Sequence, residues 1–332
     1  MTADERYMSR ALRLAAAGRG EVSPNPMVGA VVVCDGQIIG EGYHRRYGGP
    51  HAEVNAINSV VRKELFPEST IYVTLEPCAH YGKTPPCADL IVRTGLKRVV
   101  VGCRDPFAKV DGRGIDRIAK AGIEVTVGVL ERECLEINRR FITAHSFHRP
   151  YVTLKWACSE DGYIGRLKPD GQFQPVKFSS LCSSALVHKL RSEYDAIMVG
   201  SSTMLSDCPR LDVRLVSGRS PRPVIADRRG RITLPERMVS LGGIVMNDYA
   251  DIPDMLSRLY AQGITSLIVE GGASLLNSFI SSGLWDDARV EVAPIRLGPE
   301  GYGRVPFTPI PPYKVMRVGA NSIYFFENIR PD

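Results

Sequence analysis

The residues best equipped for chemistry are a histidine, a glutamate and two cysteines in the first third of the chain. His51-Ala52-Glu53 is followed by Pro77-Cys78 and then by Pro86-Cys87. One imidazole and two thiolates form a three-ligand set for zinc, and such a set leaves a fourth coordination position open to water. Glu53 is not needed as a ligand. It stands two residues past His51, placed to take a proton from that water and pass it on. A closed structural site would need a fourth protein ligand, for which His80 is the nearby choice. Three ligands beside a glutamate match the open, catalytic pattern instead. Glu53 also suits the first turn of a helix, where the dipole favours negative charge; the two roles are compatible.

The pattern H-x-E with P-C-x-x-C marks zinc nucleobase deaminases. This chain departs from it in spacing: P-C-A-H-Y-G-K-T-P-P-C puts eight residues between Cys78 and Cys87. H-A-E followed by T-L-E-P-C-x-H-x-G-x-T-P-P-C, with P-N-P-M-V-G-A from Pro24 and E-G-Y-H from Glu41, resembles the deaminase half of the bifunctional deaminase/reductase family of riboflavin biosynthesis. That resemblance implies Asn25, His44, His80 and Lys83 as contacts for a phosphorylated ribosylaminopyrimidine, with His80 and Lys83 reaching its phosphate from the long inter-cysteine loop. Asn25 lies between two prolines, which suits a rigid loop presenting an amide.

The second half carries a looser resemblance to the same family's reductase domain, from Tyr151-Val-Thr-Leu-Lys-Trp through His188–Arg191, Asp195–Gly200 and Asp207–Arg214 to Val269-Glu270-Gly271-Gly272. It implies a dihydrofolate-reductase-like fold and NADPH. Carried over residue by residue, Lys155, Arg191, Asp207, Leu211, Arg214 and Glu270 line the substrate. Ala157, Lys177, Ser179, Thr203, Arg228, Gly272, Ala273 and Ser274 face the cofactor. Gly271-Gly272 before a helix exposes backbone N–H groups to an anion. Lys177 and Arg228 are the candidates for a charge-assisted bond to the 2′-phosphate, with Arg228 preferred because it follows the strand-like Val224–Asp227. Arg191 ends a helix and has a second reading as its cap. The chain departs from the family at Pro175-Val-Lys-Phe-Ser-Ser180, where Pro175 replaces a serine and Lys177 a tryptophan, while Ser179 keeps a hydroxyl.

Elements must position these groups. Asp35-Gly36 between Val28–Val33 and Gln37–Gly42 predicts a hairpin. Met8, Leu12 and Ala15 predict an opening amphipathic helix. Helices are expected over Ala52–Lys63, Ala88–Thr94, Ile115–Ala121 and Glu131–His145, with strands at Thr70–Leu75, Arg98–Val101 and Glu124–Val127. In the second half a strand opens at Tyr151, a helix spans Ser180–Ser192, and strands lie at Ala196–Val199 and near Val224, Ile244 and Leu267. Such alternation predicts layered α/β folds. The family likeness makes the first a cytidine-deaminase-like three-layer α/β/α domain and the second a dihydrofolate-reductase-like α/β domain. His148-Arg149-Pro150 marks the linker, giving a zinc-dependent pyrimidine deaminase domain over 1–147 and an NADPH-dependent reductase domain over 148–332.

A chain of 332 residues accommodates two such domains. Its 44% hydrophobic and 23% charged content places it among folded globular proteins rather than disordered ones. No 18-residue apolar run exists, and the charged N-terminus is unlike a secretory leader. The cytoplasm is therefore expected, with reduced cysteines: Cys34, Cys103, Cys134, Cys158, Cys182 and Cys208 are read as buried free thiols. The net charge of +6 fits an anionic ligand. Its basic residues are dispersed, not arranged with aromatics as nucleic-acid binding requires. The resemblance also implies a homo-oligomer. The expected reactions are zinc-dependent hydrolysis of the 2-amino group of 2,5-diamino-6-(5-phosphoribosylamino)pyrimidin-4(3H)-one, then NADPH-dependent reduction of the product's ribosyl group to ribityl. The rivals are another nucleobase or nucleoside deaminase with an appended domain, and a deaminase carrying a C-terminal binding or oligomerisation module.

Overall fold

The computed structural model describes residues 1–79, 81, 85–105, 112–305 and 310–328. The chain divides into two compact units, Met1–His148 and Arg149–Asp332.

The first unit opens with α1 (Ala3–Ala16). Its start is fixed by a capping box in which Thr2 and Glu5 each satisfy the other's backbone N–H. The hairpin of β1 (Gly29–Cys34) and β2 (Gln37–Tyr43) turns at Asp35 and Gly36, both at positive φ, as a two-residue type I′ turn requires. There follow α2 (Ala52–Ser59), β3 (Thr70–Leu75), α3 (Cys87–Thr94), β4 (Arg98–Cys103), α4 (Arg113–Lys120), β5 (Glu124–Val127), α5 (Glu131–Ile137) and α6 (Arg139–Phe147). The sheet order is β2-β1-β3-β4-β5, with β3, β4 and β5 parallel. Side chains alternate across this sheet. Ala30, Val32, Ile71, Val73, Val99 and Val101 pack on α2, α3 and α4. Val31, Val33, Tyr72 and Val100 pack on α1 and on Cys134 of α5. The result is the expected three-layer α/β/α arrangement.

Two helices differ from expectation. The helix from Ala52 stops at Ser59, not Lys63. Ser59 Oγ donates to Ala56 O at 2.7 Å and accepts from Glu41 N–H at 2.9 Å, so the last turn is tied to β2. Val60 then turns extended and buries its side chain. The closing helix is broken at Asn138 into α5 and α6.

The second unit runs β6 (Tyr151–Ser159), β7 (Tyr163–Leu167), β8 (Phe173–Pro175), α7 (Leu181–Arg191), β9 (Ala196–Gly200), α8 (Ser201–Asp207), β10 (Arg222–Ala226), α9 (Glu236–Val239), β11 (Ile244–Met246), α10 (Ile252–Ala261), β12 (Ser266–Glu270), α11 (Ala273–Ser282), β13 (Asp287–Ala293), β14 (Gly301–Arg304), β15 (Lys314–Val318) and β16 (Asn321–Glu327). Eight strands form one sheet in the order β11-β10-β9-β12-β6-β13-β16-β15. The first six are parallel, and β16 and β15 add antiparallel. A smaller sheet joins β14, β7 and β8. One face of the large sheet packs Leu154, Met198, Val224 and Val269 against α10 and α11; the other packs Ile197, Val199, Ile225 and Ile268 with Tyr194 and Met204. No helix among the described residues is long and apolar enough to cross a membrane.

All eight cysteines are free thiols. Cys34, Cys103, Cys134 and Cys158 are buried as expected, but Cys182 and Cys208 are exposed. The first lies in the opening turn of α7 and the second ends α8 in a left-handed conformation, so neither faces a core.

Contact between α1 and β1 is backbone-close at Gly29. A Cβ there would stand 2.0 Å from Ala11 O and 2.7 Å from Ala15 N. Gly29→Ala is expected to destabilise the first unit by about 3 kcal/mol through this overpacking. Calorimetry of the full chain should show the first unit's transition moved down by several degrees, and an unmoved transition would contradict the close packing.

Candidate active sites

His51 immediately precedes α2 in an extended conformation, and Ala52 and Glu53 form that helix's first turn. Cys78 follows the end of β3, and Cys87 opens α3. Strands β2 and β3 both run antiparallel to β1 between them, so the helices that follow them start at one end of the sheet. His51 Nδ1 lies 3.6 Å from Cys78 Sγ and 3.3 Å from Cys87 Sγ, and the three ligand atoms fall within 4.8 Å of one another. Zinc–sulfur and zinc–nitrogen bonds of ordinary length in a tetrahedron would separate sulfur from nitrogen by about 3.6 Å. The donor set therefore fits zinc in both chemistry and spacing.

The Cys87 thiol and His51 favour the Cys78 thiolate, whose pKa falls to about 4 although burial opposes it. Cys87 is pushed up by Cys78 and by burial. A divalent cation held by these residues would resolve this conflict, because coordination deprotonates a thiol outright. Glu53 is only 3% exposed, and burial raises its carboxyl to about 7 against the opposing pull of His51. A carboxyl of that strength both accepts and releases protons near neutrality.

His44 and Asn25 form a pair beside this cluster. His44 Nδ1 lies 3.0 Å from Pro50 O, and its Nε2 lies 3.0 Å from Asn25 Nδ2. A carbonyl only accepts, so Nδ1 carries the proton and Nε2 accepts from the Asn25 amide. Burial lowers the His44 pKa, consistent with that neutral ring. A cavity of about 280 Å³ collects Asn25, His44, His51, Glu53 and Cys78 with Glu76, Asp105, Phe141 and His145. His80 and Lys83 lie outside the described residues.

Sequence reasoning missed four of these. Glu76 was signalled by its place beside Pro77-Cys78. Its carboxylate accepts the N–H groups of Gly112 and Gly114 at 3.1 and 3.0 Å, and more distantly those of Asp105 and Ile115. It anchors the start of α4. Asp105 follows β4 at the same end of the sheet. Phe141 and His145 pack together on α6 with ring centroids 4.4 Å apart; nothing in their spacing distinguishes a cavity wall from a core face.

In the second unit Glu270 ends β12 and lies in register with Lys155 of β6. Arg191, at the end of α7, donates from Nε and Nη2 to the two Glu270 oxygens at 2.9 and 2.7 Å. This fork on a carboxylate, not a helix cap, is where its guanidinium is used. Lys155 Nζ stands 3.6 Å from the same carboxylate. Burial would raise the Glu270 pKa, but Arg191 and Lys155 override it and hold the group at about 2. Burial depresses the Lys155 pKa, while Glu270 supports it.

A cleft of about 290 Å³ brings together Lys155, Ala157, Lys177, Ser179, Thr203, Asp207, Glu270 and Gly272. A neighbouring one of about 330 Å³ is lined by Lys155, Lys177, Ser179, Arg191 and Arg214. Thr203 Oγ1 accepts the Gly272 N–H at 3.0 Å, which ties α8 to the turn before α11. Gly272 caps α11 with no side-chain acceptor. The first N–H groups of that helix, at Ala273 and Ser274, lack helical acceptors and suit a phosphate. The donors present therefore fit an anionic dinucleotide. Ser179 Oγ is engaged at 3.0 Å with Glu291.

Two carried-over residues fall elsewhere. The Leu211 side chain is buried in the core with Ile197, Ile225 and Ile268, so it offers no side-chain contact to the cleft. Arg228 donates to Ala250 O at 2.9 Å and rests on the Tyr249 ring, outside the lining of both clefts. Lys177 lines both clefts.

Residues 1–103 match the cytidine and deoxycytidylate deaminase zinc-binding region, and residues 150–320 match the RibD C-terminal domain. The riboflavin biosynthesis protein RibD of Aquifex aeolicus is 39% identical over 319 residues, spanning 89% of this chain and 88% of the relative. That of Escherichia coli is 35% identical over 336 residues, 90% of each. A diaminohydroxyphosphoribosylaminopyrimidine deaminase/5-amino-6-(5-phosphoribosylamino)uracil reductase of known structure from Thermotoga maritima superposes with a TM-score of 0.87 at 34% identity, covering 98% of both chains. Acinetobacter baumannii RibD does so with a TM-score of 0.87 at 32% identity, again over 98% of each. A zinc-type donor set beside a buried glutamate in one unit, a charged cleft in the other, and likeness along almost the whole length together establish that the chain belongs to the RibD family, the bifunctional deaminase/reductases of riboflavin biosynthesis.

Proposed function

We propose that residues 1–147 hydrolyse the 2-amino group of 2,5-diamino-6-(5-phosphoribosylamino)pyrimidin-4(3H)-one, and that residues 148–332 reduce the ribosyl group of the resulting 5-amino-6-(5-phosphoribosylamino)uracil with NADPH. The observation that carries the first step is the buried Glu53 beside the His51, Cys78 and Cys87 donor set. Zinc, when bound there, lowers the pKa of water to roughly 7. Glu53 would take one proton from that water and give it to the ring nitrogen as the hydroxide adds to C2, then take the remaining hydroxyl proton and give it to the amino group, so that the C2–N bond breaks, C2=O forms and ammonia leaves. Asn25 and His44 present an amide and an imidazole to the pyrimidine, and His80 and Lys83 serve the ribosyl phosphate.

The second step is carried by the Lys155–Glu270–Arg191 network. NADPH, when bound, would supply the hydride for C1′ of the opened ribose, whose heteroatom takes up a proton from solvent. Lys155, Asp207 and Glu270 bind and orient the ribose. Arg191 keeps Glu270 ionised and in place, and Arg214 supplies positive charge for the phosphate. The Leu211 backbone remains available to the substrate. Ala157, Ser179, Thr203, Gly272, Ala273 and Ser274 hold the cofactor, with Lys177 or Arg228 on its 2′-phosphate. The same reading takes the enzyme as a cytoplasmic homo-oligomer.

Glu53→Gln should keep its zinc and lose deaminase kcat by on the order of 10²–10⁴-fold. Zinc content and ammonia release read this directly, and full ammonia release from a zinc-loaded variant would remove Glu53 from the proton path. Chelation should separate the steps. Stripped enzyme should stop releasing ammonia yet still oxidise NADPH when given the deaminated intermediate; loss of both activities would tie the reductase to the metal. If Lys177 holds the 2′-phosphate, Lys177→Ala should weaken NADPH binding by on the order of tenfold and leave NADH binding near its starting value. Arg228→Ala serves as the comparison. Selectivity lost there, and kept in Lys177→Ala, would return the assignment to Arg228.

A further inference from the structure

Asn138 stands where α5 ends and α6 begins, and it is the N-cap of α6. Asparagine in that position ordinarily turns its side chain back to an N–H in the first turn of its own helix. Here no such bond forms. The carboxamide reaches a residue 111 positions earlier in the chain. Its Oδ1 accepts the Met27 N–H at 2.8 Å, and its Nδ2 donates to the Met27 carbonyl at 2.9 Å. One side chain thus pairs both backbone groups of one residue, as a neighbouring strand would. Asn138 is 2% exposed, so lost bonds there are not simply replaced by water.

Met27 closes the short segment Pro24-Asn25-Pro26-Met27 that leads into β1. At the other side of the segment, the Asn25 N–H bonds to Val22 O at 2.9 Å. The Asn25 side chain, held between these two anchors, meets His44 and borders the cavity. The same α6 supplies Phe141 and His145 to the cavity's lining. The missing cap has its explanation here: the amide is spent on the loop.

We infer that Asn138 is a positioning residue for deamination, whose clamp on Met27 holds the Asn25 amide where the substrate's pyrimidine is recognised. This rests on the reading of Asn25 as a substrate contact.

The test is a double-mutant cycle in the full-length, zinc-loaded enzyme, using Asn138→Ala, Asn25→Ala and their combination, with deaminase kcat and KM as readouts. Asn138→Ala should raise KM on the order of tenfold with kcat within about twofold, because binding geometry is lost and the proton path is not. In the Asn25→Ala background the same substitution should add nothing, since Asn138 acts only through Asn25. Asn138→Asp, of nearly equal volume, faces the Met27 carbonyl with a second acceptor and should raise KM as well. An unchanged KM in zinc-loaded Asn138→Ala overturns the inference, as does a loss that simply adds to that of Asn25→Ala. If neither Asn138 variant retains zinc, the residue's role is structural and the inference falls. Asn25→Ala with unaltered KM would instead strike the reading of Asn25, and this inference with it, which separates the two failures.

Discussion

Two thiols and an imidazole held within 4.8 Å of one another are an electrostatic problem that the first unit is built to contain. Each sulfur prefers to be charged only if the other is not. The fold eases this with backbone dipoles. His51 and Cys87 stand at the starts of α2 and α3, and the Cys87 N–H points at Cys78 Sγ from 3.3 Å. Helix starts concentrate positive potential, which favours thiolate. Antiparallel pairing of β1 with both β2 and β3 makes the helices that follow those two strands neighbours on one face of the sheet. The order of the strands is thus a precondition for the donor set.

The second unit solves a related problem with the opposite sign. Glu270 is buried at the end of a parallel strand, where an isolated carboxylate would lose its charge. Lys155, opposite it in register, and Arg191, arriving from α7, keep it ionised. Three charges are fixed in mutual contact, and truncating one leaves the others buried and uncompensated. The parallel register ensures that β6 and β12 present these side chains to the same face. Helix α11 then begins where β12 ends, so the network and the uncapped helix N-terminus border one cleft.

Much of this was legible in the chain itself. Residue types and spacing disclosed the His51, Glu53, Cys78 and Cys87 cluster, because ligand chemistry restricts the choices severely. Asp35-Gly36 disclosed the hairpin, because few residues accept positive φ at two successive positions. The helix lengths were less legible. Periodicity runs on through Ser59 and through Asn138, but each side chain has a distant backbone partner that sequence does not reveal. Nor could the sequence show where the side chains of Leu211 and Arg228 lie: one is packed in a core, and the other rests on an aromatic ring and bonds a carbonyl. Phe141 and His145 escaped notice because a helix face toward a cavity reads like a helix face toward a core.

The carboxylate of Glu76 has a further consequence. One of its oxygens receives the N–H groups of Asp105 and Gly112, which flank residues 106–111, and the other receives those of Gly114 and Ile115. Asp105 and Gly112 are therefore fastened to a residue only two places from Cys78. The end of β4 and the start of α4 are thus both held to the strand end that carries Cys78.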